Sequence, residues 1–214
     1  VWAGMSKETA HQLGTPISSL MGWIDYIKEN DAHVSPKVLK EMEHDMERLG
    51  LITERFSKIG SEPSLTEYDL LEVLDESVSY INARTSDKVS ITIADIEKFK
   101  GIRVAVNKPL FAWVVENLCK NAVDAMEGQG EIWFEIAGIG DGQIQFDVVD
   151  TGKGVPSNKQ KTIFKPGYTT KKRGWGLGLS LVKRIIQNYH NGKIYVKESV
   201  VGTGTRFRIE LRRA

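Results

Sequence analysis

The hydrophobic pattern changes character at "GSEPS" (residues 60–64), from helical spacing alone to helices alternating with short strands, and the change excludes a single uniform architecture. Upstream of it the spacing is helical. Ile17, Leu20/Met21, Ile24 and Ile27 recur at helical intervals within a helix expected from about Ala3 to Asn30, and "DAHVSP" then interrupts. Ser35 followed by Pro36 supplies an N-cap with proline in the first turn. A second helix carries Val38, Met42, Met46, Leu49, Ile52, Phe56 and Ile59, close to a heptad seam. Two helices alone bury little apolar surface. Residues 1–61 therefore read as a helical hairpin that pairs with a second copy into a four-helix bundle, the economical solution, or packs on its own C-terminal half.

Residues 62–214 alternate helices with short strands. "DLLEVLDESVSYINAR" and "KPLFAWVVENLCKNAVDAM" read as helices, "VSITIAD" and "IRVAV" as strands. "EIWFEIAG" and "QIQFDVVD" flank a turn centred on Asp141-Gly142 and read as a hairpin. A Gly-, Lys- and Thr-rich loop follows to about Trp175, then a helix "LGLSLVKRIIQNYH" and closing strands "KIYVKES" and "TRFRIELRR". This order predicts an open mixed sheet with helices on one face, giving an α+β chain of two domains, 1–61 and 62–214.

Twenty-nine basic against 28 acidic residues leave a net charge of +1, so no global field points to nucleic acid or an anionic membrane. Any anion site is local. The single cysteine, Cys119, excludes an internal disulfide framework, fits a reducing compartment and reads as buried and inert. No run of about 18 apolar residues occurs and the first residues resemble no signal peptide, so the chain reads as soluble. Its abrupt start at Val1-Trp2, mid-helix, reads as a piece of something longer, with room for a membrane anchor upstream.

Three separated segments have the character of a nucleotide site. Asn117 and Asn121 lie four apart on one helix face, where amide oxygens suit a hard cation shared with phosphates. Asp150 ends a strand before Gly152 and Gly154, a carboxylate beside approachable backbone that can accept from an exocyclic amine. Gly174, Gly176 and Gly178 stand at the mouth of a helix, after Lys165, Lys171, Lys172 and Arg173. Neither a Walker loop nor a dinucleotide fingerprint is present. Near the N-terminus, "HQLGTP" places Pro16 where it cannot donate to the Gln12 carbonyl, with Gly14 adding backbone freedom, so the turn after His11 is kinked or loose.

In this order the segments resemble the transmitter region of a two-component sensor histidine kinase: a phosphoacceptor and dimerisation hairpin, then an ATP-binding domain of the Bergerat (GHKL) fold shared with gyrase, Hsp90 and MutL. "ENLCKNAVDAM" is similar to the N box, which implies magnesium at Asn121 and a place near the phosphates for Asn117. "DTGKGVP" resembles the first glycine box, with Asp150 the adenine contact beside Gly152 and Gly154. "IFKPGYTTK" resembles the phenylalanine box, with Phe164 a packing anchor for the lid and Thr170 and Lys171 near nucleotide. "GWGLGL" resembles the second glycine box, placing Gly174, Gly176, Leu177, Gly178 and Leu179 toward the triphosphate, and "GTGTRFRIEL" puts Thr205 on the adenine side. Trp175 is read as a hydrophobic lid anchor, with nucleotide stacking the alternative.

"HQLGTP" resembles the phosphoacceptor box, which implies that His11 is phosphorylated from Mg-ATP. The phosphoryl group then passes to an aspartate of a response regulator, and Thr15 is placed to position a water for dephosphorylating that partner. The resemblance further implies ATP and Mg2+ as cofactors, a homodimer, regulator contacts around Ser18, Ser19 and Gly22, and a cytoplasmic location. Gln12 departs from the family's acidic residue: it can orient the imidazole but cannot take a proton. Asp124 stands where many members carry Lys or Arg. Rival readings are a nucleotide-binding scaffold without catalysis, and an ATPase clamp of the gyrase or Hsp90 type, which has a catalytic glutamate at the position of Asn117. His33, His44 and His190 read as solvent-exposed helix histidines.

Overall fold

A computed structural model of the chain describes residues 13–14, 16–27, 35–59, 64–140, 142–170 and 176–214. It divides into two compact units, Val1–Glu62 and Pro63–Ala214. In the first, residues 16–27 are helical (α1), as is α2, Pro36–Ile59. Ser35 caps α2 as its residue type dictates, its Oγ accepting from the Val38 amide at 3.3 Å. Ser19 Oγ donates to Asp45 Oδ2 at 2.6 Å, tying α1 to α2. Ile17, Met21, Ile24, Leu39 and Met46 remain exposed in the single chain.

The second unit holds strands β1 (Thr66–Asp69), β2 (Val89–Ile93), β3 (Arg103–Val106), β4 (Gly130–Gly140), β5 (Gln143–Asp150), β6 (Lys193–Val200) and β7 (Gly204–Arg212). Its helices are α3 (Leu70–Asn82), α4 (Ile96–Phe99), α5 (Lys108–Ala125) and α6 (Gly178–Arg184). Five strands form one sheet in the order β2-β4-β5-β7-β6, parallel between β2 and β4 and antiparallel elsewhere. The remaining pair, β1 and β3, is a separate antiparallel ribbon. The expected strand "IRVAV" therefore belongs to the ribbon. Its partner Thr66–Asp69 was not anticipated, being four residues long with no alternation to reveal it.

Alternation along the strands sorts the side chains. Ile132 and Phe134 of β4, Ile144, Phe146 and Val148 of β5, and Phe207, Ile209 and Leu211 of β7 are buried on one face, with Leu110, Phe111, Val114 and Leu118 of α5 in the same core. Burying each such side chain contributes roughly 1.5–3 kcal/mol. The opposite face is polar yet organised. Asp147, wholly buried, accepts from Arg208 in a two-pronged arrangement, Nε to Oδ1 at 2.7 Å and Nη2 to Oδ2 at 2.8 Å, and from Arg206 Nη1 at 2.9 Å. Arg206 also pairs with Glu135, which accepts from Trp133 Nε1 at 2.8 Å. Burial alone would raise the Asp147 carboxyl, but the two guanidinium groups outweigh it and hold it below its ordinary value.

Two one-residue bulges interrupt this alternation, at Ala137 in β4 and Lys197 in β6. Beyond Lys197, Ser199 pairs with Thr205 and Glu198 with Arg206. Without the extra residue Ser199 would stand opposite Gly204.

His190 corrects the sequence reading: it is buried. The helix that begins as α6 widens into a π turn at Ile185–Tyr189, with the His190 amide donating to the Ile185 carbonyl five residues back at 3.2 Å. The His190 ring then lies against Phe111. Its Nε2 accepts from the Asn107 amide at 3.0 Å, and Nδ1–H donates to the Ile185 carbonyl at 2.9 Å. Asn107 is the N-cap of α5, its Oδ1 accepting from the Leu110 amide. One imidazole thus joins the end of the α6 helix to the start of α5.

Candidate functional site

Helix α5 carries both asparagines on a half-buried stretch. Asn117 Nδ2 donates to the Trp113 carbonyl one turn back at 2.8 Å, which orients the side chain and leaves its Oδ1 directed elsewhere. A Cβ added at Gly178 would lie 3.0 Å from that Oδ1 and 3.7 Å from Asn121 Nδ2. Glycine at the head of α6 is thus what allows the second helix to approach the asparagine face. The first backbone bond of α6 runs from the Leu181 amide to the Leu177 carbonyl, and no side chain caps the helix. Its leading amides, those of Gly178, Leu179 and Ser180, face the same end as the asparagines, the polarity that favours an anion.

The strand-end aspartate follows from the same alternation as the core. Asp150 shares the parity of Phe146 and Val148, so its carboxyl is turned toward the helix side of the sheet and is 6% exposed. Oδ1 accepts from the Gly152 amide at 2.8 Å, and the Thr205 amide also donates to the carboxyl. Burial pushes this carboxyl above its ordinary value, against the pull of the two amides. A buried carboxylate with few donors gains most from a further donor that reaches it.

The glycines after Asp150 serve the protein's own packing. At Gly152 a Cβ would come within 2.7 Å of Ala125 Cβ and 2.8 Å of Asp150 Oδ1, while Gly154, at φ +70°, has the Val200 carbonyl where a side chain would be. The Lys153 amide donates to the Ala125 carbonyl at 3.0 Å and the Gly202 amide to the Lys153 carbonyl at 2.9 Å. The turn is thereby pinned between the end of α5 and the β6–β7 hairpin. Phe164 is buried edge-to-face on Phe207, centroids 6.2 Å apart, which roots the segment after the turn in the core. Gly176, at φ +65°, packs on the Tyr168 carbonyl, and its own carbonyl accepts from the Gly167 amide at 3.1 Å. Both ends of the intervening loop are thus held together.

Asn117, Asn121, Gly178 and their neighbours Leu177 and Leu179 form one cluster, and Asp150, Gly152, Gly154 and Thr205 a second. Thr170 is exposed at the last described position before the loop, and Asp124 is exposed near the end of α5. His11, Gln12, Thr15, Lys171, Gly174 and Trp175 lie outside the described residues. Among the described residues no three His, Cys, Asp or Glu side chains gather as metal ligands. Cys119 is buried, with its thiol pushed up to about 12 by burial and by Glu116, which makes it a packing residue. Sequence reasoning missed Ser199, half-buried beside Thr205. Its Oγ accepts from the Val155 amide at 2.7 Å, donates to the Gly204 carbonyl at 3.0 Å, and lies 3.0 Å from Thr205 Oγ1. No signal could have found it, because the Lys197 bulge decides its face.

Residues 107–214 match the profile of a family described as histidine kinase-, DNA gyrase B-, and HSP90-like ATPase. Over 212 residues the chain is 30% identical to the sensor histidine kinase ZraS of Salmonella typhi, covering 97% of this chain and 45% of that protein. It spans about half the length of that relative. Among solved structures, the catalytic domain of histidine kinase ThkA superposes with a TM-score of 0.59 at 26% identity, over 70% of this chain and 95% of that one. ThkA in complex with the response regulator protein TrrA covers 98% of this chain and 61% of that one, with a TM-score of 0.58 at 22% identity, a likeness of fold. Among the described residues no helix is long and apolar enough to cross a membrane.

Proposed function

The chain belongs to the family of histidine kinase-, DNA gyrase B- and HSP90-like ATPases, and from that premise we propose that it is the core of a sensor histidine kinase. It transfers the γ-phosphoryl group of ATP to His11 and from there to an aspartate on the receiver domain of a response regulator, which it also dephosphorylates. The observation that carries the ATP end is the approach of Asn117 Oδ1 to the glycine head of α6, with the buried Asp150 carboxyl as a second recognition point.

The roles divide along the site. Asp150 accepts from the exocyclic amine of adenine, with Thr205 beside it. The leading amides of α6 and the loop before it, through Gly174, Gly176, Leu177, Gly178 and Leu179, receive the phosphates. Thr170 and Lys171 would contact nucleotide from a lid anchored by Phe164, and lid closure would exclude water. Asn121 and Asn117 have the amide oxygens that suit Mg2+, which neutralises phosphate charge when bound. Phosphoryl transfer then demands positioning more than covalent chemistry from the protein. A ring nitrogen of His11 supplies the nucleophile, and Gln12 orients the ring.

A domain division between residues 61 and 62, within one residue of the boundary between the two compact units, would put the acceptor and the ATP site on different domains. The apolar side chains left exposed on α1 and α2, Met21 and Met46 at 60% each, favour a homodimer that buries them in a four-helix bundle. Ser18, Ser19 and Gly22 are exposed on α1 and offer the regulator a docking face. The native setting is the cytoplasmic side of a longer sensor protein.

The test is incubation with Mg-ATP labelled at the γ-phosphate, beside His11→Ala. Label that is acid-labile, alkali-stable and absent from the variant is the expected result. Gln12 favours a second reading, a nucleotide-binding scaffold without catalysis, and ATP binding with no phosphohistidine would select it.

A further inference from the structure

We infer that Ser199 sets the hydrogen-bond polarity of Thr205 and so makes the base end of the site selective for a 6-amino purine over a 6-oxo purine, an inference that rests on the ATP reading above. The argument is a count of donors. A serine hydroxyl has one hydrogen to give and two lone pairs to receive. The Gly204 carbonyl, 3.0 Å from Ser199 Oγ, can only accept, so the single hydrogen of Ser199 is committed there. The Val155 amide, at 2.7 Å, can only donate and takes one lone pair. The contact at 3.0 Å with Thr205 Oγ1 is then left with one polarity: Thr205 donates and Ser199 accepts.

With its hydrogen spent on Ser199, Thr205 Oγ1 can only accept from anything else. Thr205 and Asp150 are directly paired across β5 and β7, so their side chains rise from the same face of the sheet. The amide hydrogens of Gly152 and Thr205 already point at the Asp150 carboxyl. What the pair offers a ligand is two acceptors. A 6-amine brings the two hydrogens that such a pair needs, whereas a 6-oxo purine sets its carbonyl against one of the acceptors and has only N1–H left to give. Discrimination of this kind is strong because the wrong partner leaves buried polar groups unpaired. Ser199 is a positioning residue acting through Thr205, and it reaches Thr205 only because the Lys197 bulge puts it in that register.

The experiment measures the affinity of the whole chain for ATP and for inosine triphosphate, which carries a carbonyl in place of the 6-amine, by calorimetric titration. Melting temperatures are recorded alongside. The unaltered chain is expected to prefer ATP at least tenfold. In Ser199→Ala the Thr205 hydroxyl is released to turn and donate to the 6-carbonyl, so the ATP-to-ITP ratio falls by about tenfold. Ser199→Thr, which keeps a hydroxyl, restores the ratio. Thr205→Val, near-isosteric and without a hydroxyl, also lowers the ratio and answers the question should Ser199→Ala fail to fold. A Ser199→Ala ratio equal to that of the unaltered chain overturns the inference, even if both affinities fall together, since that is the mark of a packing role. An unaltered chain that binds both nucleotides equally also overturns it. Failure of the unaltered chain to bind ATP at all would instead remove the nucleotide reading on which it rests.

Discussion

Asp150 illustrates how one buried group can work against stability and for binding. Its carboxyl titrates above the ordinary range because burial disfavours the charge. The sign follows from linkage: a carboxyl raised in the folded state stabilises the fold when protonated, and that contribution is lost as pH rises through the folded value. The charged form of this buried carboxyl therefore works against the stability of the domain. Asp150→Asn is expected to melt no lower than the native chain at pH 7.5, and a few degrees higher if the amide keeps the Gly152 contact. Its ATP affinity should fall ten- to hundredfold, from the roughly 1.5–3 kcal/mol of a hydrogen bond to a charged group. Calorimetry for both quantities checks this, and a variant that loses stability and binding in parallel would show that Asp150 is structural.

At the scale of elements, His190 gives the clearest case of placement deciding chemistry. Burial pushes its imidazole below about 6.5, and the Asn107 amide needs a lone pair on Nε2, so the neutral ring is the one that fits. A histidine lowered in the folded state leaves stability undiminished above pH 6.5, and stability declines as pH falls from there to the folded value. His190→Ala should lose about 3 kcal/mol by stranding the Asn107 amide and removing ring packing on Phe111. Urea midpoints at pH 7.5 and 5.5 should differ less for the variant than for the native chain. The helix pattern in "LGLSLVKRIIQNYH" was legible from its apolar spacing, as were α5 and the Asp-Gly hairpin. The π turn was not, because a single extra residue per turn leaves the apolar pattern almost intact while turning the residue after it inward. Likewise β1 is too short to show a period, and the bulges at Ala137 and Lys197 shift which side chains share a face without changing composition.

For the whole molecule, the second unit was largely readable because its core and its site obey one alternation: the parity that buries Phe146 also turns Asp150 toward the helices. The Asp147 network on the opposite sheet face was unreadable, since pairing Glu135, Asp147 and Arg208 in one row needs the strand order and not merely the strands. In the first unit, spacing gave two helices but cannot by itself name what covers an apolar side chain. If the proposed dimer covers Met46, Met46→Glu should weaken self-association at least tenfold, read by light scattering across a concentration series, while ATP binding by the second unit stays unchanged. A monomeric native chain at tens of micromolar would argue against the bundle.

The π turn also limits how this stretch of chain can change in length. Deleting one residue from Ile185–Tyr189 would restore a regular helix, a local repair that looks harmless. It would leave the His190 amide on the Ile185 carbonyl, then four residues back, whereas inserting a residue would turn the ring about 100° away from Asn107 and break a hydrogen bond that joins the two helix ends. Single-residue insertions here should therefore be tolerated far less than deletions, or than substitutions at the exposed positions Gln187 and Asn188.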